Sequence, residues 1–157
     1  MKRLKLYLDT SIFNFALANK MPKEQEVTQN LLNEIKNGQY EAFISEIVLQ
    51  EIGRAQEEKA KDLIKVIRAC SPMELKINSE TNMLAEYYVH SNIIPRKYFN
   101  DALHIAVATV HIIDAIISWN FEHIVKLKTK REIVGINIIN GYKEIEIYSP
   151  WEVVSYD

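Results

Sequence analysis

Short apolar runs alternate with longer amphipathic stretches along this chain, an order typical of strands followed by helices. Four runs predict strands: LKLYLD, YEAFIS, MELKI and DAIIS, at residues 4–9, 40–45, 73–77 and 114–118. Helical spacing of apolar residues predicts helices over 23–37, after Ser45, and over 57–70, 79–90 and 100–112. Because strands and helices alternate, we expect an α/β fold, a three-layer α/β/α sandwich with a central parallel sheet.

Length and composition fit one globular domain over residues 1–157, because 48% of the residues are hydrophobic and we find neither a repeat nor a low-complexity linker. The single cysteine, Cys70, excludes an internal disulfide framework and fits a reducing compartment. The basic start resembles a signal peptide, but Lys5 and Asp9 interrupt its apolar run. No stretch reaches the ~18 apolar residues of a membrane span, so we expect a cytoplasmic protein with no membrane partner.

The formal net charge of −2 and the isoelectric point near 6.1 argue against nucleic-acid binding by bulk charge. Local basic patches or a bound cation would be needed. Three basic groups could guide a nucleic-acid backbone, although an ordinary solvated surface is the better explanation for any one of them. They are Lys61, Lys65 and Arg68; Arg96 and Lys97; and Lys126, Lys128, Lys130 and Arg131.

Four polar residues lie where a ligand of a parallel sheet would bind, beyond the carboxyl ends of the strands. Asp9 ends the first strand, Glu51 lies on the helix after the second, Asp101 opens the helix before the fourth, and Asn120 follows the fourth. If the first and fourth strands are neighbours, these side chains converge. Three carboxylates together repel one another, so a cation is needed, and oxygen ligands suit Mg²⁺ or Mn²⁺. Such an ion would assist attack by water on a phosphodiester.

Each of these residues also has a purely structural interpretation. Asp9 could be a turn residue at the end of a strand, and Glu51 a solvated surface charge. Asp101 could cap its helix, a contribution of about 1 kcal/mol. Asn120 could cap a helix that starts at Phe121.

Hydroxyls and imidazoles near these positions leave further alternatives open. Ser11 and Ser118 could hold waters or phosphate oxygens, or be no more than a helix cap and a strand-end hydroxyl. His104 lies on an apolar helix, where a hydrogen-bonded core histidine is more common than a ligand. The other histidines show no tight zinc spacing, which argues against zinc: His90, His111 and His123.

Four segments, in this order and at these separations, resemble the PIN domain family of metal-dependent ribonucleases, which includes the toxins of VapBC toxin-antitoxin pairs. They are YLDTSIF, ISEIVLQEI, NDALHIAVATV and IISWNFEHI, and the resemblance continues to NGYKEIEIYSP. It implies a PIN-like fold in which Asp9, Glu51 and Asp101 bind Mg²⁺ or Mn²⁺, with Asn120 in the catalytic set. It also implies RNA cleavage that leaves a 5′-phosphate and a 3′-hydroxyl.

The same resemblance makes RNA the expected substrate and a cognate antitoxin protein an expected partner. We also expect a homodimer. The helix that ends at His90 carries a pair of tyrosines that could support a dimer or a partner groove, although burial in the core is the default explanation for them.

Two departures from the family pattern bear on the metal site. Asn120 is neutral where many relatives carry Asp, which removes one negative charge. His123 stands about where another carboxylate is often found, so a second metal ion stays open. Glu122 could substitute from one position away, whereas Glu46 is expected to point away from Glu51.

Two other functions are compatible with parts of the pattern. A phosphoaspartate protein would also use an Asp at the end of the first strand, but a haloacid-dehalogenase-like phosphatase needs a second Asp where Ser11 stands. A receiver-like domain needs paired early acids and a late functional Lys, and we find no candidate for that Lys. A non-catalytic PIN-like protein or RNA interaction module is the stronger alternative, favoured by Asn120 and His123.

Overall fold

The central element of the computed structural model, which describes residues 2–156, is a sheet of five parallel strands in the order β3-β2-β1-β4-β5. The strands are β1 Leu4–Leu8, β2 Tyr40–Ser45, β3 Met73–Leu75, β4 Ala115–Ile117 and β5 Glu146–Tyr148. β1 lies in the middle and pairs with β2 on one side and β4 on the other, with Leu8 opposite Ile117. The predicted neighbourhood of the first and fourth strands is therefore confirmed.

Eight α-helices connect and cover the strands within the described part of the chain. They are α1 Thr10–Ala16, α2 Pro22–Lys36, α3 Glu46–Gly53, α4 Glu57–Cys70, α5 Ser79–His90, α6 Phe99–Val110, α7 Leu127–Ile139 and α8 Pro150–Val153. A short 3₁₀ turn, Arg96–Tyr98, leads into α6. None of these helices is long and apolar enough to cross a membrane.

Each face of the sheet has its own hydrophobic core. On β1 the alternation is direct, because Tyr7 packs into the core with α5, α6 and α7, whereas Leu6 and Leu8 pack into the core with α1, α2 and α4. Both faces of the central strands are buried, which explains why their sequences are apolar without a polar alternation. The predicted three-layer α/β/α sandwich is confirmed.

Two strands turn directly into helices at the same edge of the sheet. Asp9 caps α1 by accepting a hydrogen bond from the backbone N–H of Ser11 at 3.1 Å, and Ser45 caps α3 by accepting from the N–H of Ile47 at 3.3 Å. These short connections bring α1 and α3 to the carboxyl ends of β1 and β2.

Several elements differ from the sequence-based expectation. The third and fourth strands are shorter than predicted, and β5, α1, α7 and α8 were not predicted. The helix expected to start at Phe121 is wrong, because residues 121–125 form turns and α7 begins at Leu127. Helices α3 and α4 also bury narrower faces than the apolar residues of their sequences suggest, since Leu49 and Ile64 are 39% and 36% exposed.

Candidate functional site

Asp9 lies at the carboxyl end of β1 and is almost fully buried. Its Oδ1 accepts hydrogen bonds from the hydroxyl and the backbone N–H of Ser11, at 2.5 and 3.1 Å, and its Oδ2 accepts from the hydroxyl of Ser118 at 2.5 Å. Burial raises the pKa of this carboxyl, and the charge of His104 and the serine hydroxyls offset only part of the effect. Asp9 is thus a carboxylate held in place at the junction of β1, α1 and β4.

Glu51 reaches the same region from α3 and is half-buried. Its Oε1 accepts a hydrogen bond from the hydroxyl of Thr10 at 2.8 Å and another from Nε2 of His104 at 2.7 Å. Burial pushes the pKa of Glu51 up, but the hydrogen bond and charge of His104, with the Thr10 hydroxyl, bring it below its ordinary value. Both hydrogen bonds end on Oε1, which leaves Oε2 for another ligand.

Asp101 lies in the first turn of α6 and is partly buried. Burial raises its pKa, and the negative charge of Asp9 adds to that rise. The charge of His104, the side-chain amide of Asn120 and the charge of His123 lower the pKa without reversing the shift. These mutual effects place Asp101 beside Asn120 and within electrostatic reach of Asp9.

His104 is the buried centre of this group of carboxylates. It is 2% exposed, and Nδ1 shares a hydrogen bond with the hydroxyl of Tyr7 at 2.7 Å while Nε2 reaches Glu51. The interpretation as a hydrogen-bonded core histidine is confirmed. Burial lowers the pKa of His104, but the hydrogen bond to Glu51 and the charges of three carboxylates raise it above its ordinary value; they are Asp9, Glu51 and Asp101.

The contact between His104 and Glu51 is the part of the site that the sequence did not reveal. One signal was present, since His104 follows Asp101 by three residues and therefore lies on the same face of α6. Where the fold places α3 relative to that face decides which carboxylate the imidazole meets.

The segment after β4 closes the site through its own hydrogen bonds. The backbone N–H of Trp119 donates to the hydroxyl of Ser11 at 2.9 Å, and that of Asn120 donates to the hydroxyl of Ser118 at 2.9 Å. Oδ1 of Asn120 accepts from the backbone N–H of His123 at 2.9 Å, so Asn120 caps a turn rather than a helix. Both serines hold Asp9 and this segment together, and their predicted contact with substrate stays a prediction.

His123 occupies the second position that departs from the family pattern. Its ring packs on Tyr98 with centroids 4.1 Å apart, and its buried Nε2 has no hydrogen-bond partner among the described residues. That nitrogen lies 3.6 Å from a carboxylate oxygen of Glu122, whose side chain is 79% exposed. Glu46, at the start of α3, is exposed.

A divalent cation fits the chemistry of this donor set. Asp9 and Asp101 are carboxylates whose charge is disfavoured by burial and by each other, and Glu51 keeps a free oxygen. Oxygen ligands of this kind suit Mg²⁺ or Mn²⁺. Within residues 2–156, no group of three Asp, Glu, His or Cys side chains is placed closely enough to hold a metal ion without moving. The three carboxylates that would hold the ion are Asp9, Glu51 and Asp101.

Several of the basic residues singled out in the sequence are engaged in ion pairs. Lys61 pairs with Glu57 at 3.5 Å, Lys128 with Glu132 at 3.5 Å, and Lys130 with Glu152 at 3.9 Å. Arg96 makes two hydrogen bonds to the carboxylate of Glu86, at 3.3 and 2.8 Å.

Two lysines remain close to the site. Lys97 lies 5.7 Å from the ring centre of Tyr98, just before α6, and Lys126 directly precedes α7. They are the basic residues nearest to Asp101 and His123 along the chain.

Comparison with known proteins gives a family and two structural neighbours. The PIN domain model matches residues 6–123. A chain of VapBC2 from Rickettsia felis, bound to a DNA fragment from its promoter, superposes with a TM-score of 0.59 at 15% identity, over 93% of this chain and 98% of that one. A chain of DNA-bound VapBC from Salmonella typhimurium gives 0.54 at 17% identity, over 94% and 98%. No curated relative matches the sequence. Since the family model covers most of its length, the chain belongs to the PIN domain family.

Proposed function

We propose that this chain is a Mg²⁺- or Mn²⁺-dependent endoribonuclease and the toxin of a toxin-antitoxin pair. The observation that carries the proposal is the convergence of three carboxylates from β1, α3 and α6 on one buried imidazole, that of His104. Folding gathers like charges against their mutual repulsion only when something compensates for it. A bound divalent cation would compensate for this repulsion.

The residues around the carboxylates hold them in place for such chemistry. Ser11 and Ser118 fix both oxygens of Asp9, and Thr10 and His104 fix one oxygen of Glu51. A divalent ion held there would neutralise phosphate oxygens and lower the pKa of a water. The protein's contribution is positioning, because its carboxylates need not move to receive the ion's charge.

Local features, and not bulk charge, support RNA as the substrate. Lys97 and Lys126 lie close in sequence to Asp101 and His123, Tyr98 packs on His123, and Tyr98 and Phe121 are 37% and 50% exposed. Basic and aromatic side chains together suit single-stranded nucleic acid, because phosphates pair with the cations and bases stack on the rings.

Two further expectations concern partners. Both solved structures reported above are VapBC complexes, which supports a cognate antitoxin for this chain. Met83 and Tyr87 of α5 are 56% and 42% exposed, which supports a contact with a second protein copy on that helix.

Cleavage of a labelled single-stranded RNA of mixed sequence tests the proposal. With Mn²⁺ or Mg²⁺ the purified protein should produce fragments, and EDTA should stop the reaction until metal is restored. Asp9→Asn should lower the rate by about a hundredfold or more, because it removes a ligand charge while keeping the shape. Asp62→Asn, at an exposed position of α4, is the matched control and should cleave like the wild type.

Cleavage that survives EDTA, or that Asp9→Asn leaves unchanged, would exclude the metal mechanism. A folded wild type that binds RNA without cutting it in either metal would instead identify a non-catalytic PIN-like module. Circular dichroism of Asp9→Asn establishes that a lost activity is not lost folding.

A further inference from the structure

We infer that His104 is a positioning residue for the metal site: it anchors one oxygen of Glu51 through a buried chain of hydrogen bonds and so directs the other oxygen to the cation. The inference rests on the proposed function and adds the residue that sets the orientation of one ligand. Nothing in the family resemblance assigned a role to this histidine.

The contact itself has the geometry of a strong, charge-assisted hydrogen bond. Nε2 of His104 lies 2.7 Å from Oε1 of Glu51, and the imidazole is 2% exposed whereas the carboxylate side chain is 28% exposed. The hydrogen bond therefore links a fully buried imidazole to a carboxylate that is partly open to solvent. A charged imidazole carries a proton on Nε2, and so does a neutral imidazole in the form protonated on that nitrogen. In both forms Nε2 donates to the carboxylate of Glu51.

A second set of hydrogen bonds fixes the other side of the ring. Nδ1 of His104 lies 2.7 Å from the hydroxyl of Tyr7, and that hydroxyl lies 2.7 Å from Oγ of Ser45. Ser45 in turn accepts from the backbone N–H of Ile47 as the cap of α3. Glu51 lies on α3 as well. The series of hydrogen bonds therefore begins and ends on the same helix and passes through residues of β1 and α6.

This closed arrangement determines what Glu51 can do. Thr10 and His104 both bind Oε1, so rotation of the carboxylate would break two hydrogen bonds at once. The carboxylate is thereby held with Oε2 free. Partners that orient metal ligands in this way typically change metal affinity or activity by about 10- to 100-fold when they are removed.

Tyr7 lies at the middle of this series of hydrogen bonds and is fully buried. Its hydroxyl is within hydrogen-bond distance of both Ser45 and His104, so it can accept from Ser45 and donate to Nδ1. With that bond in place, a neutral imidazole presents its single N–H to Glu51.

Binding of Mn²⁺ measured by isothermal titration calorimetry, without RNA, tests the role of His104. His104→Leu should raise the Kd for Mn²⁺ by about tenfold, because Glu51 loses its buried donor. His104→Gln keeps an N–H near the position of Nε2 and should recover most of the affinity. His90→Gln is the matched control, since the side chain of His90 is 73% exposed, and should bind Mn²⁺ like the wild type.

Tyr7→Phe provides a variant that leaves the imidazole in place. It removes the hydroxyl that orients Nδ1 and should raise the Kd for Mn²⁺ by a smaller factor than His104→Leu. In RNA cleavage, each affected variant should need more Mn²⁺ for half-maximal rate and approach the wild-type rate at saturating Mn²⁺. A loss caused by packing alone would not be recovered by added metal.

Several outcomes would overturn the inference. Equal affinity of His104→Leu and the wild type would show that Glu51 needs no anchor, and tighter binding would show that the imidazole competes with the cation. A His104→Gln protein as weak as His104→Leu would exclude the hydrogen bond as the cause. If the wild type cleaves RNA with Mn²⁺ while these results appear, the proposed function stands and only the role of His104 falls. A wild-type protein that binds no Mn²⁺ would contradict both the proposed metal dependence and the role of His104.

Discussion

Asn120 contributes a neutral side chain to a site that is otherwise acidic. Its amide lies beside Asp101, and its Oδ1 accepts the backbone N–H of His123, a hydrogen bond that an aspartate could also accept. Replacing Asn120 with aspartate would therefore add a negative charge and keep the hydrogen bond that closes the turn. The added charge would act directly on any cation that Asp101 holds.

We expect Asn120→Asp to lower the Mn²⁺ concentration needed for half-saturation, because a fourth carboxylate would then lie close to the ion. Calorimetric titration with Mn²⁺ measures the change. Asn33→Asp, which adds the same charge on the exposed side of α2, is the control and should leave the titration unaltered. An unchanged titration for Asn120→Asp would place this residue outside the reach of the metal.

The sequence predicted which residues meet at the site more fully than it predicted how they meet. Asp9, Glu51 and Asp101 could be identified because each follows or opens an element with a clear pattern, and parallel strands end at a common edge. The hydrogen bond between His104 and Glu51 joins residues 53 positions apart and depends on the packing of two helices. No local pattern encodes that distance.

At the level of helices and strands, the end of α6 contains a residue poorly suited to its conformation. Ile112 has a φ of 57°, and the backbone N–H groups of Ile112 and Ile113 donate to the carbonyls of Thr109 and Ala108. This is the Schellman pattern, which requires a left-handed residue and favours glycine or asparagine. A β-branched residue there costs about 1–2 kcal/mol.

We expect Ile112→Asn to stabilise the protein by about 1 kcal/mol, which corresponds to a rise in Tm of about 2–4 °C. The side chain is 63% exposed, so little packing is lost. Asn92 ends α5 with a φ of 59° and already has the suitable residue, so Asn92→Gly should change Tm much less. Thermal unfolding followed by circular dichroism measures both; a Tm for Ile112→Asn at or below that of the wild type would contradict the expectation.

The elements that the sequence failed to predict have weak patterns for physical reasons. β5 has three residues, too few for a period to show. Helix α7 carries Gly135, and its last residues, Ile138 and Ile139, are 64% and 80% exposed. Exposed apolar residues at the end of a helix obscure the helical spacing of the buried ones, so the pattern does not identify the buried face.

For the whole molecule, the burial of Asp101 makes stability depend on pH. Burial raises the pKa of Asp101 in the folded chain above its unfolded value. A carboxyl group with a raised folded pKa destabilises the fold when ionised, so the cost is absent below about pH 4 and complete above the folded pKa. The sign is opposite to that of a carboxylate stabilised by an ion pair.

We therefore expect Asp101→Asn to have a larger free energy of unfolding than the wild type in EDTA at pH 7, and the difference to vanish towards pH 3. Asparagine keeps the shape of the side chain but not the charge, and no cap is lost, because Asp101 lies within the first turn of α6 and no side chain caps that helix. In saturating Mn²⁺ the order should reverse, since the wild type gains about 2.7 kcal/mol at a hundredfold excess over Kd and the variant gains less. Urea unfolding at several pH values, with EDTA or Mn²⁺, provides these free energies.

A variant no more stable than the wild type in EDTA, with an equal response to Mn²⁺, would show that Asp101 is only a first-turn carboxylate of α6 and holds no cation. Asp62→Asn is the control, because this exposed residue of α4 lies outside the acidic group.

The hydrogen bond from Ser118 to Asp9 has a consequence for the protein during its own synthesis. It joins residues 109 positions apart, from β1, made first, to the end of β4. At about 5–20 residues per second, Ser118 is added about 5–20 s after Asp9. A nascent chain cannot complete the acidic site in that interval, and a product truncated before β4 never can. Under the proposed function, a ribosome that translates this protein would be exposed to its activity only after most of the chain has been made.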